Sequence, residues 1–181
     1  MRAVFVAILI AVAPPARADC AAGLDAAFAR LQAEPHEMRA ELPNGDGTTT
    51  EVRVTMVPGT GMQIRSGSYE AVVLGDGGWV NEGNGWRPMD AAGLALARDS
   101  IPYDLRVLRP SATDVSCLAD GFAFRSGSQR FVVWTDPATG LPAVLRPAEP
   151  GDEARVRYRR GGELSVAAPD QAGRRRPIPG E

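Results

Sequence analysis

A chain of 181 residues has room for one domain with its own apolar core. Its formal net charge of −2, about −4 once Arg2 and Arg17 of the N-terminal segment are set aside, excludes a general nucleic-acid binder, which is basic across its domain. Every basic side chain is arginine, which a GC-rich genome explains without any functional reading.

Residues 1–18 read as a signal peptide. Arg2 supplies the charged start, residues 3–13 the apolar run, and Ala16-Arg17-Ala18 the small-x-small cleavage site. The apolar run is too short to anchor a protein across a bilayer. Asp19 before Cys20 argues against a lipid-modified cysteine. The expected product starts at Asp19, after cleavage near Ala18, and is periplasmic or secreted. Cys20 and Cys117 are the only cysteines, and in an oxidising compartment they pair. Closing a loop of that length is worth roughly 4–5 kcal/mol in the chain-entropy model. A redox or metal thiol lacks both a CxxC and a partner cluster.

Residues 21–34 form an amphipathic helix with Leu24, Phe28 and Leu31 on one stripe, ended by Pro35. A first strand is expected over 37–42 and a polar turn over 43–47. Residues 49–57 alternate, with Val52, Val54 and Met56 on one side and Glu51, Arg53 and Thr55 on the other, as in a half-buried strand. Four short strands follow over 62–89, with turns at Gly67-Ser68, at Asp76-Gly77 and within Gly83-Asn84-Gly85. Two-residue loops set Ile64 opposite Ala71 and Leu74 opposite Trp79. Met62, Ile64, Ala71, Val73 and Val80 then share one face, and Val72, Leu74, Trp79 and Trp86 the other. A meander apolar on both faces covers something on each or encloses something.

Asp90 is an N-cap for the one further helix, over 91–98, which Pro102 stops; its small residues let it lie close to a sheet or over the mouth of one. Strands resume at Val115. Arg125-Ser126-Gly127-Ser128 before Val132-Val133-Trp134 echoes Arg65-Ser66-Gly67-Ser68 before Val72-Val73-Leu74. A two-residue turn here sets Arg125 opposite Arg130, an unfavourable pair, so a wider loop is expected. A turn at 136–140, a strand over 141–146 and a last hairpin of strands 153–159 and 163–167 complete the domain. Residues 169–181, rich in Pro, Gly and Arg, are expected to be disordered.

Little of the chemistry-bearing inventory forms a constellation. His36, the only histidine, follows a helix-ending proline, where a surface position is expected, and no nucleophile-elbow motif accompanies it. No HExxH or CxxC offers metal ligands, and neither cofactor nor metal is expected. Gly75-Asp76-Gly77-Gly78 joins two strands rather than a strand and a helix, so it is no phosphate cradle. Arg155, Arg157 and Arg159 alternate with smaller or apolar residues and place three guanidinium groups on one strand face. That pattern fits either a charged edge strand protected from aggregation or a docking surface for an acidic partner or anionic head groups.

Val72-Val73-Leu74-Gly75-Asp76-Gly77-Gly78-Trp79-Val80-Asn81 with Trp86, and the run from Phe131 through Asp136-Pro137 to Gly140-Leu141-Pro142, carry a family likeness. With the order of elements, they resemble the periplasmic lipoprotein carrier of the Lol localisation system and its outer-membrane lipoprotein-sorting relatives. The resemblance implies a mainly β, α+β fold: an antiparallel half-barrel meander over 19–168, with an N-terminal helix and a mid-chain lid helix. It also implies a hollow that holds acyl chains. The expected function is non-enzymatic binding of an acyl chain, a lipoprotein or another apolar ligand. Val72, Leu74, Trp79, Trp86, Leu94, Ile101, Phe122, Phe124 and Trp134 are the candidate pocket or lid residues. The alternative is a structural or regulatory envelope protein with a filled barrel that meets a partner protein through its arginine strand.

Overall fold

The computed structural model describes residues 17–149 and 154–169. The expected signal peptide, apart from Arg17 and Ala18, and the expected disordered tail beyond Pro169 lie outside them. Helix α1 (Arg17–Gln32) leads into strands β1 (His36–Pro43), β2 (Thr49–Val57), β3 (Gly61–Ser66), β4 (Tyr69–Leu74), β5 (Gly77–Asn81) and β6 (Trp86–Pro88). Helices α2 (Ala91–Asp99) and α3 (Leu105–Leu108) follow, then β7 (Ala112–Leu118), β8 (Gly121–Ser126), β9 (Gln129–Thr135), β10 (Pro142–Pro147) and β11 (Arg155–Arg160). No helix among the described residues is long and apolar enough to cross a membrane.

All eleven strands join one antiparallel sheet in the order β6-β5-β4-β3-β2-β1-β11-β10-β9-β8-β7. The sheet does not close. Two meanders meet where β1 pairs with β11, and α2 and α3 connect the two free edges, β6 and β7. This is an α+β open half-barrel. Strand alternation decides what faces inward: Met38, Ala40, Val52, Val54, Ile64, Val133, Leu145 and Val156 form one core with Leu24, Phe28 and Leu31 of α1. Phe124 stacks on Phe131 at 5.4 Å between ring centroids and meets Phe28 edge-on at 6.0 Å.

Covalent and ionic ties fix α1 against the second meander. Cys20 is bonded to Cys117 of β7, with Cα atoms 5.2 Å apart. Arg109, just after α3, donates from Nε and Nη2 to the two carboxylate oxygens of Asp25 on α1. That guanidinium holds the Asp25 carboxyl below the usual carboxylate range. Asp90 caps α2 by accepting from the Gly93 amide at 2.8 Å, as its position in the sequence implied.

Five local expectations are corrected. Strand β11 is no edge: β1 and β10 flank it, and the pairing partner in β1 lies more than a hundred residues earlier in the chain. The turn between β4 and β5 is Gly75-Asp76, with Gly75 at φ +54, so Leu74 faces Gly77 and Trp79 faces Val72. The slip is two residues, which leaves every side chain on its expected face. The loop between β8 and β9 is two residues long, and Arg125 does face Arg130. Both side chains sit near the surface, where solvent screens the pair, and Arg125 donates to the Ser128 carbonyl at 2.9 Å. Residues 163–167 form no strand; Val166 is buried without a ladder. Leu105–Leu108 adds a single helical turn that a four-residue window could not announce.

Candidate functional site

The helices leave one end of the concave face partly uncovered. There, a cavity of about 290 Å³ opens between the ends of β1 to β4 and the C-terminal ends of α1 and α2. Met56, Val57, Pro58, Met62 and Val73 supply apolar walls. Gln32, His36, Arg98 and Arg106 supply the polar part of the lining. Ligand pockets span roughly 300–1,000 Å³, so this one suits a single slender apolar group.

Strand parity sets Met56, Met62 and Val73 in the wall, while Val57 and Pro58 border the cavity from the end of β2. Met56 pairs with Met62 across β2 and β3, and Met62 pairs with Val73 across β3 and β4, so the three line up across the concave face. Gly61 opposes Leu74, and a Cβ there would lie 2.1 Å from the Val73 carbonyl oxygen; glycine lets β3 and β4 approach at the cavity wall.

His36 opens β1 on the inward parity it shares with Met38 and Ala40, and it is 3 % exposed. The surface position expected from Pro35 is therefore corrected: strand alternation, not the preceding proline, sets the ring's direction. Nδ1 donates to the Glu34 carbonyl at 2.8 Å. Burial pushes the imidazole pKa down, so the ring stays neutral in the cavity wall. Nε2 of Gln32 is buried with no hydrogen-bond partner among the described residues, as is the Tyr158 hydroxyl, whose pKa burial raises.

Two arginines tie the helices over this end. Arg98, in the last turn of α2, donates to the Gly75 carbonyl in the β4–β5 turn at 2.7 Å. Arg106 of α3 donates to the Arg98 carbonyl at 3.0 Å and, through Nε, to buried Asp104 at 2.7 Å. Strand turn, α2 and α3 are thereby linked in series beside the opening. Leu94 lies over Gly78, where an added Cβ would come within 2.6 Å of it, and Ala97 is 1 % exposed. Helix α2 thus lies on the concave side.

The nine candidate pocket residues divide between the two faces, and none lines this cavity. Leu94, Ile101, Phe122 and Phe124 lie on the concave side, within the core or packed against it. Phe122 packs under α1, its ring 3.3 Å from where a Cβ on Gly23 would sit. Val72, Leu74, Trp79, Trp86 and Trp134 lie on the outer face, by register with residues whose neighbours point inward. There, Val72 is nearly inaccessible between Gln63 and Trp79, and Trp134 carries the Arg146 guanidinium 4.8 Å above its ring. Sequence reading missed Met56 and Met62 as cavity residues although both had been placed on strand faces. The usable signal was the arginine–glutamate alternation of β2, which marks its outer side. Followed through the pairing of Val54 with Ile64, it marks the inner side of β3 as well.

Among the described residues no group of three or more His, Cys, Asp or Glu is placed to hold a metal ion. No protein-family model matches the sequence, and no curated protein matches it. Solved structures do. LprF from Mycobacterium bovis is 8 % identical at a TM-score of 0.48, over 87 % of this chain and 99 % of that one. A chain in the MucA/MucB complex of Pseudomonas aeruginosa is 14 % identical at 0.47; the match takes in 84 % of this chain but spans only 60 % of that chain's length. A LolA superfamily protein from Nitrosomonas europaea is 8 % identical at 0.34, over 79 % and 91 % of the two chains. The chain is similar to these structures in the arrangement of sheet and helices alone.

Proposed function

We propose that the protein is a non-enzymatic binding protein of the cell envelope that receives one slender apolar chain, of the acyl type, in the cavity between β1–β4 and α2. The observation that carries this reading is the composition of the wall. Two methionines, two valines and a proline line a space that the core does not fill. Methionine suits such a wall because its unbranched side chain adapts to a guest of variable shape. The His36 ring, kept neutral by burial, adds no charge to the wall, while Arg98 and Arg106, held in place by backbone carbonyls, set two guanidinium groups at the cavity. A guest would insert its apolar end among the methionines and leave any polar end near the arginines.

The test is binding of a dansyl-labelled undecanoic acid followed by its fluorescence. Met56→Trp fills the cavity from a half-buried position and should weaken binding about tenfold or more, equivalent to ~1.4 kcal/mol, with the melting temperature little changed. Unchanged affinity in that variant would move the ligand elsewhere.

A further inference from the structure

The outer face of the central strands carries a feature that no single strand shows. Register sets Arg65 of β3 opposite Arg53 of β2, Arg53 opposite Arg39 of β1, and Arg39 opposite Arg157 of β11. Four arginines therefore stand in one row across four adjacent strands. At about 4.8 Å between strands, the row is roughly 14 Å long. Directly opposed like charges destabilise a sheet, so a row of four calls for compensation. Glutamates supply part of it. Glu51 lies 3.7 Å from Arg39 and 3.0 Å from Arg53, Glu70 lies 2.7 Å from Arg65, and Glu41 pairs with Arg157.

These pairs are exposed or half-exposed and weak, and a guanidinium has five N–H donors, more than one carboxylate can use. Arg155 and Arg159 flank the row on β11, both exposed. Including Glu37, which lies 3.9 Å from Arg159, arginines still outnumber glutamates on this face, in a chain whose net charge is −2. A recess of about 350 Å³ lies among Glu37, Arg39, Arg53, Arg157 and Arg159.

We propose that this row docks a short acidic segment of a partner protein, laid across the strands so that its carboxylates meet the guanidinium groups. At about 3.4 Å per extended residue, four or five residues cover the row. Two observations favour a peptide over an anionic membrane. The exposed large apolar side chains among the described residues, Leu96, Val107 and Leu118, belong to α2, α3 and β7, whereas surface membrane binding joins cations to inserted apolar groups. The glutamates between the arginines would also face a continuous layer of lipid phosphates, while the separate carboxylates of a peptide can be spaced to avoid them.

The probe is a fluorescein-labelled hexaglutamate peptide, with hexaglutamine as control, followed by anisotropy at low salt. Wild type should bind hexaglutamate, lose it in 1 M salt, and bind about tenfold more tightly than the Arg39→Gln/Arg53→Gln/Arg157→Gln variant. Vesicles of phosphatidylglycerol and phosphatidylcholine should not sediment the protein. Equal binding by the triple variant, no preference over hexaglutamine, or sedimentation with vesicles but no peptide binding would overturn the proposal. Should the triple variant not fold, amide shifts in wild type decide: perturbation across β1, β2 and β11 supports docking on the row, and perturbation elsewhere refutes it.

Discussion

His36 loses its ordinary titration because strand parity turns its ring into the cavity wall, where burial disfavours the charged form. The consequence for stability has a definite sign. Above about pH 6.5 the ring is neutral in both folded and unfolded chains, and it contributes no pH dependence. As pH falls below that value the unfolded chain takes up a proton that the folded chain refuses, so stability is lost. The melting temperature should therefore fall between pH 7.5 and pH 5, and His36→Gln should flatten that fall. Parallel profiles for the two proteins would show that the buried ring protonates without cost. The sequence placed this residue correctly at a helix exit but could not orient it, because its direction depends on which side of β1 meets the helices.

At the scale of elements, turn chemistry was the most legible part of the chain. Gly67 and Gly127 each open a two-residue turn at positive φ, +56 and +61, and each hairpin follows from that single residue. The two hairpins differ at the second pair from the turn: Glu70 meets Arg65 in the first, and Arg130 meets Arg125 in the second. Local repulsion did not widen the second loop, since exposed charges cost less than a changed register would. Gly121 shows the other use of glycine: a Cβ there would come within 2.0 Å of the Val133 carbonyl oxygen and 3.0 Å of Trp134 Cα. Gly121→Ala should therefore destabilise the protein by about 1–3 kcal/mol or more in urea unfolding, since backbone must move to admit the methyl group. Gly45→Ala, where no atom lies within 4 Å, should stay within about 0.5 kcal/mol of wild type. Equal effects would mean that β8 and β9 separate at little cost.

For the molecule as a whole, the decisive contact is the one between β1 and β11, which turns two meanders into a single open sheet. No local pattern announces it. The alternating arginines of β11 look the same at an edge as in the centre, and only the register with Glu37, Arg39 and Glu41 shows that they are internal. The half-barrel was legible through the order of elements and the family likeness. The cavity was not, because it arises where the ends of four strands and three helices come together. Its methyl groups offer the most direct check on the central claim. Protein carrying ¹³C-methyl methionine should be titrated with dodecanoic acid. The Met56 and Met62 methyl resonances, in the cavity wall, should shift together, while Met38, enclosed in the core, and Met89, packed near Gly78, should move little. Saturable shifts confined to Met89, or none at Met56 and Met62, would contradict the account.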